Sequence, residues 1–178
     1  MCASRLARWR RRRFAPNPFG DFTVALLALD AIVAVQSGYG ARDVPIEEFL
    51  AGRARILGGL VLAVSLRRPS DAEAFRYRKI ARIRPKGGSV VTLAAHLPIS
   101  GGRTVGARIA LGAMAATPVR AKAAERAIEG RALDAAGIAA AVSAINEGTS
   151  PVDDSLASAW YRCEVLGVHL RRLLSGQQ

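Results

Sequence analysis

Residues Arg108–Leu133 read RIALGAMAATPVRAKAAERAIEGRAL, and within this stretch a strand pattern gives way to a helix pattern. From Val105 the apolar side chains alternate through Ala107, Ile109, Leu111 and Ala113, the period of a strand with one buried face. The period changes at Thr117-Pro118. Threonine is a favoured N-cap, and proline at the first helical position gives up only an amide that has no intrahelical partner, so the pattern predicts a helix over Pro118–Glu129. Ala121, Ala124 and Ile128 form its apolar stripe, Lys122, Glu125, Arg126 and Glu129 its polar face, and Gly130 the left-handed residue that ends it. A strand that feeds its own covering helix points to the α+β class.

Working outward, Ala74–Ile83 and Ser89–Ile99 are two further strand candidates. They are separated from each other and from Val105–Ala113 by turns at Pro85-Lys86-Gly87-Gly88 and Ser100-Gly101-Gly102-Arg103. A three-stranded antiparallel meander is the economical topology. Two more helices follow Pro118–Glu129: Ala135–Glu147 with Asp134 as cap and Ile138, Val142 and Ile145 inward, and Ser155–Leu174. The last has Asp153 and Asp154 at its positive end, Arg171 and Arg172 at its negative end, and a predicted buried stripe of Leu156, Trp160, Cys163, Leu166, Leu170 and Leu173. Upstream, Phe22–Ala31 reads as a short helix, Ile32–Gln36 as a strand, and Leu60–Leu66 as a strand closed by Pro69. Pro69-Ser70-Asp71 is the expected domain boundary. It gives a basic tail over 1–13, an α+β unit over 14–69 and a sheet packed with three helices over 72–176.

Composition bounds the function. Half the chain is hydrophobic (51%), enough for a buried core, while only 6% is aromatic, so close packing of small residues is expected. Arg5, Arg8, Arg10, Arg11, Arg12 and Arg13 supply six positive charges, half of the net +12. Clustered arginine can neutralise phosphates, which keeps a small basic nucleic-acid-binding module as the alternative function; only Trp9 is there to stack on bases. A solvated end, a short transit segment and a misplaced start are the other readings of the tail. Cys2 and Cys163 show no metal spacing and no disulfide framework, and no apolar run reaches the roughly 18 residues of a membrane span. A cytoplasmic protein with no membrane partner is expected. His96 and His169 lack partners at ligand spacing, and there is no G-x-S-x-G, P-loop or complete G-x-G-x-x-G, so independent catalysis is not expected.

Two runs carry a family resemblance. ARIALGAMAATPVRA at 107–121 with AERAIEGR at 124–131, and PVDDSLASAWYRC at 151–163, resemble the C-terminal domain of the flavin subunit of the molybdenum hydroxylases, the group of carbon monoxide and xanthine dehydrogenases. The second run is similar to that family's Asp-x-Arg-Ala-Ser-x-x-Tyr-Arg signature, with Leu156 where the family has Arg. Asn17-Pro18-Phe19-Gly20-Asp21 resembles its Ser-Pro-Ile-Gly-Asp segment, without the Gly-Gly-Asn loop that precedes it there, and Leu26–Ala31 matches its Leu-Leu-Ala-Leu-Asp-Ala. The resemblance implies an N-terminally truncated FAD subunit. Its flavin would carry electrons from iron–sulfur clusters to NAD or another acceptor, in a complex with a molybdenum-cofactor large subunit and a [2Fe-2S] small subunit.

It also implies three cofactor-binding positions. Asp21 corresponds to a carboxylate that accepts a flavin or ribityl hydrogen bond, Leu62 to an apolar residue packed on the ring, and Lys79 to an ammonium that stabilises the reduced flavin. The residue types alone leave plainer roles open: Asp21 as helix N-cap, Leu62 as strand core, Lys79 as a solvated strand residue. The missing glycine loops predict that the chain alone does not hold FAD tightly.

Overall fold

The computed structural model describes residues 20–38, 40–52, 59–69, 71–83 and 87–177. The basic tail, residues 17–19, Ser70 of the expected boundary and Pro85-Lys86 of the expected turn lie outside the described residues. Helix α1 (Asp21–Ala28) opens the fold and is followed by the antiparallel strands β1 (Ile32–Ser37) and β2 (Gly40–Pro45), the short helix α2 (Ile46–Ala51) and β3 (Leu60–Ser65), paired in the order β2-β1-β3. Val33, Val35 and Val44 alternate inward from this sheet. They share one core with Val24, Leu26 and Leu27 of α1 and Phe49 and Leu50 of α2.

Next come β4 (Phe75–Ala81) and β5 (Ser89–His96), the small hairpin β6 (Ile99–Ser100) and β7 (Arg103–Thr104), then β8 (Arg108–Gly112) and β9 (Val119–Arg120). β4, β5, β8 and β9 form a second antiparallel sheet in that order. Helices α3 (Lys122–Ile128), α4 (Ala135–Ala144) and α5 (Ala159–Leu174) cover one of its faces. The α+β class and the three expected strands are present. The alternation of β5 and β8 divides the sheet between two cores: Leu93, Ala95, Ile109 and Leu111 face the helices, while Ala94 and Ala110 join the core of α1. Those two alanines lie directly opposite each other, and with only a methyl on each, α1 packs down across β5 and β8.

The helix expected at Pro118 begins later. Val119 pairs with Leu111 and Arg120 with Ala110, so the edge of the sheet takes these residues as a fourth strand before the helix starts at Lys122 behind Ala121. The Ala121 amide is donated to the Ile109 carbonyl at 2.8 Å, which ends the strand and fixes where the helix starts. Gly130, at φ +70, does close the segment.

Glu125 and Glu129 do not simply face solvent as expected. Glu125 is buried and accepts the Ile109 N–H at 2.8 Å, and Glu129 accepts those of Gly106 (2.8 Å) and Ala107 (3.1 Å). One helical turn apart, they satisfy the strand edge that the two-residue β9 is too short to pair.

The expected stripe of α5 is out of phase in its first turn. Leu166, Leu170, Leu173 and Leu174 are buried, but Trp160 is 70% exposed and the side chain that extends the stripe toward the N-terminus is Arg162, at 1% exposure. The helix starts at Ala159 rather than Ser155, because Asp154 accepts the Leu156 and Ala157 amides and Asp153 that of Ala159, folding 153–158 into a capping turn. Leu156 lies in that turn against Gly88, where a Cβ would meet its Cδ1 at 2.8 Å.

Candidate functional site

β4 is an edge strand whose sequence FRYRKIA sends charge to both faces. Arg76 and Arg78 reach the C-terminal end of α5: Arg76 donates to the Leu173 and Leu174 carbonyls and so caps the negative end of the helix, and Arg78 donates to the carbonyl of Gln177, three residues beyond it. Tyr77 and Lys79, one residue out of step, face Asp21 on α1 instead. Lys79 Nζ donates to Asp21 Oδ2 at 2.7 Å, while Ser89 Oγ (2.7 Å) and Thr92 Oγ1 (3.1 Å) donate to Oδ1.

Ser89 and Thr92 are an odd number of residues apart and reach the same carboxylate because β5 bulges between them. Ile80 pairs with Val91 and Ala81 with Ser89, which leaves Val90 as the extra residue that shifts the phase. The bulge has its own support, since Arg162 Nε donates to the Val90 carbonyl at 3.0 Å. Arg162 also donates to the Val152 carbonyl, and its Nη2 meets both oxygens of Asp154 at 2.8 and 2.7 Å. The buried arginine of the Tyr-Arg run therefore acts as a brace behind the polar cluster, a role that the apolar-stripe reading of α5 missed. The signal was Asp154 eight residues earlier, an acid able to neutralise it.

Electrostatics follow from this geometry. Burial alone would raise the Asp21 carboxyl, but the hydrogen bonds from Lys79, Ser89 and Thr92, with the Lys79 charge, outweigh it and hold the group below its ordinary value. Burial, then the charge of Asp21 and the hydrogen bond to it, push the Tyr77 phenol up to about 12. Beside the Lys79–Asp21 ion pair the phenol therefore stays protonated across the neutral range.

The structure thus brings together two of the three positions that sequence proposed, Asp21 and Lys79, from segments 58 residues apart. Neither takes its plainer role: Gly20, not Asp21, is the N-cap of α1, and the Lys79 side chain is only 25% exposed. Leu62 is not part of this cluster, and it is not strand core either. It is the unpaired residue of a bulge in β3, 54% exposed, because Ala34 pairs with Ala63 and Val35 with Val61. A planar cofactor with hydrogen-bonding edges fits the donor set, since Lys79 keeps two N–H groups beyond its bond to Asp21. Among the described residues no group of three or more His, Cys, Asp or Glu could hold a metal.

Residues 76–176, which include Tyr77, Lys79, Ser89, Thr92 and Arg162, match the family described as the CO dehydrogenase flavoprotein C-terminal domain. The chain belongs to the CO dehydrogenase flavoprotein family. Among its relatives is the carbon monoxide dehydrogenase medium chain of Afipia carboxidovorans, 32% identical over 161 residues that cover 88% of this chain and 55% of the relative. Another is the 6-hydroxypseudooxynicotine dehydrogenase complex subunit alpha of Paenarthrobacter nicotinovorans, 31% identical over 163 residues, 87% of this chain and 53% of that one. In structure the chain superposes on the reconstituted CO dehydrogenase from Oligotropha carboxidovorans with a TM-score of 0.80 at 29% identity, covering 90% of this chain and 57% of the other. It spans about half the length of the curated relatives it matches.

Proposed function

We propose that this chain works as part of the FAD subunit of a molybdenum hydroxylase of the xanthine or carbon monoxide dehydrogenase type. The α1–β4–β5 cluster forms one wall of the flavin site, with Asp21, Lys79 and, from the first sheet, Leu62 on the flavin side. The remaining wall comes from a flavin-binding half, in the same polypeptide or another. The partners are a molybdenum-cofactor large subunit and a [2Fe-2S] small subunit, and FAD supplies the step that hands their electrons to NAD or another acceptor. Named relatives that act on carbon monoxide and on 6-hydroxypseudooxynicotine support a subunit that does not itself choose the hydroxylated substrate. The family match favours this reading over a basic nucleic-acid module, whose Arg-rich tail lies outside the described residues. A cytoplasmic location goes with this reading; among the described residues no helix is long and apolar enough to cross a membrane.

The observation that carries the reading is the pairing of Asp21 with Lys79. Family resemblance points to both positions, and the fold joins them at the seam between the two cores. The test is reconstitution with the flavin-binding half and the partner subunits. Lys79→Ala is expected to lower the flavin reduction potential and acceptor-linked turnover, because a positive charge beside the ring stabilises its anionic reduced form. Arg82→Ala, just beyond the end of β4, should leave both unchanged. A Lys79→Ala complex with wild-type potential and turnover would remove Lys79 from the flavin site.

A further inference from the structure

Asp21 has little capacity left for a ligand. Two hydroxyl donors occupy Oδ1 and the ammonium occupies Oδ2, and the Tyr77 hydroxyl is turned to the same carboxylate. The groups around it are less committed. Tyr77 is 41% exposed although it stands two residues from Lys79 on the same face of β4, so its ring lies open beside the two free N–H groups of the ammonium. We propose that Tyr77 and Lys79 together form the ligand-facing edge of this site, the tyrosine ring packing on the planar ring of the flavin, and that Asp21 is their positioning residue and does not touch the ligand.

This rests on the flavin-site reading and narrows it to named contacts. The phenol is protonated throughout the neutral range, and its part-exposed ring is available for stacking. Lys79 is held in one place by the ion pair, which spares a ligand the entropy of ordering a four-carbon chain.

The experiment uses the complex with the flavin-binding half, with FAD as the probe, and reads FAD affinity and the fluorescence lifetime of bound FAD. A tyrosine in contact with an excited flavin quenches it by electron transfer and a phenylalanine does not. Tyr77→Phe should therefore keep FAD affinity and lengthen the lifetime, whereas Tyr77→Ala should weaken binding about tenfold. An unchanged lifetime in Tyr77→Phe with FAD still bound overturns the stacking contact. For Asp21 the readout is a mutant cycle in FAD affinity. If Asp21 acts only through Tyr77 and Lys79, adding Asp21→Asn to a variant that already carries Tyr77→Ala and Lys79→Met weakens binding no further; an additional, additive loss shows that Asp21 touches the ligand and overturns its positioning role. A wild-type complex that binds no FAD sinks the flavin-site reading and this inference with it, an outcome distinct from FAD bound with an unaltered lifetime.

Discussion

A single carboxylate, Asp21, decides how the cluster responds to pH, and the two ends of the pH scale test it separately. Its folded pKa is depressed, so the Asp21 interactions stabilise the fold above the ordinary value of 3.8 and the stabilisation is lost as pH falls through the lowered folded value. Asp21→Asn is therefore expected to be less stable than wild type at neutral pH, with the gap closing in acid; melting temperatures at pH 7 and pH 3 check it. Tyr77 behaves in the opposite sense. Its folded pKa is raised from 10.0 to about 12, so its contribution is complete below pH 10 and is lost as pH rises through about 12. The phenolate absorbance of wild type minus that of Tyr77→Phe should show a midpoint near 12, and the same difference measured in an Asp21→Asn background should show it lower, because the neighbouring negative charge has gone. Sequence pointed to Asp21 and Lys79 by resemblance but not to their pairing, since nothing in a strand pattern tells which helix terminus its polar residues meet. Tyr77 went unnoticed because in FRYRKIA it reads as one more alternating strand residue, and Ser89 and Thr92 because their shared direction depends on a bulge that periodicity does not show.

At the scale of elements, the two largest departures from the sequence pattern are both charged side chains that do backbone work. In α5 a stripe drawn through Trp160 looks correct by hydrophobicity and is wrong in angle there, because the helix turns about 200° over two residues and so puts Trp160 nearly opposite Arg162. The brace formed by Arg162 then holds β5, the 152–154 turn and the start of α5 together. Asp154→Ala leaves a buried guanidinium without its counter-charge and is expected to destabilise the fold by about 3 kcal/mol, measured by denaturant unfolding. Arg162→Lys should cost a similar amount although charge is conserved, since an ammonium cannot serve Val90, Val152 and Asp154 in a planar fork. Glu125 is the parallel case in α3, where the polar face inferred from the helical period turned out to be the part that reaches back to β8 and binds Arg120 through Nε at 3.0 Å and Nη2 at 2.7 Å. Glu125→Ala strands the Ile109 amide and is expected to cost about 2 kcal/mol by the same measurement.

For the whole molecule the decisive surface is the Ala94–Ala110 pair, because it is where the core of the first sheet and α1 meets the second sheet. The low aromatic and high alanine content anticipated close packing of this kind, and the strand at β5 and the alternation of β8 were legible in sequence; that the second face of the sheet is covered by α1 was not, since α1 lies more than sixty residues upstream of either alanine. The arrangement makes the polar cluster depend on apolar packing. Asp21 begins α1, so the distance from its carboxylate to Lys79 is set by how far α1 sinks onto the two methyl groups. Ala94→Leu adds three carbons to a fully buried position and should lift the helix at a cost of about 1 to 3 kcal/mol. Two readouts separate a global loss from a local one. Melting temperature reports the overall cost, and the phenolate titration of Tyr77 reports the cluster: if α1 moves away, the Asp21 charge moves with it and the midpoint falls below about 12 toward 10.0. Ala141→Leu, the same three-carbon enlargement at a fully buried position of α4, serves as the control, because Ala141 packs in the helix-side core and not on α1. It is expected to lower the melting temperature and leave the Tyr77 midpoint where it was. If Ala94→Leu also leaves the midpoint unchanged, the cluster is held by its own hydrogen bonds, and the seating of α1 on the alanines does not set its geometry.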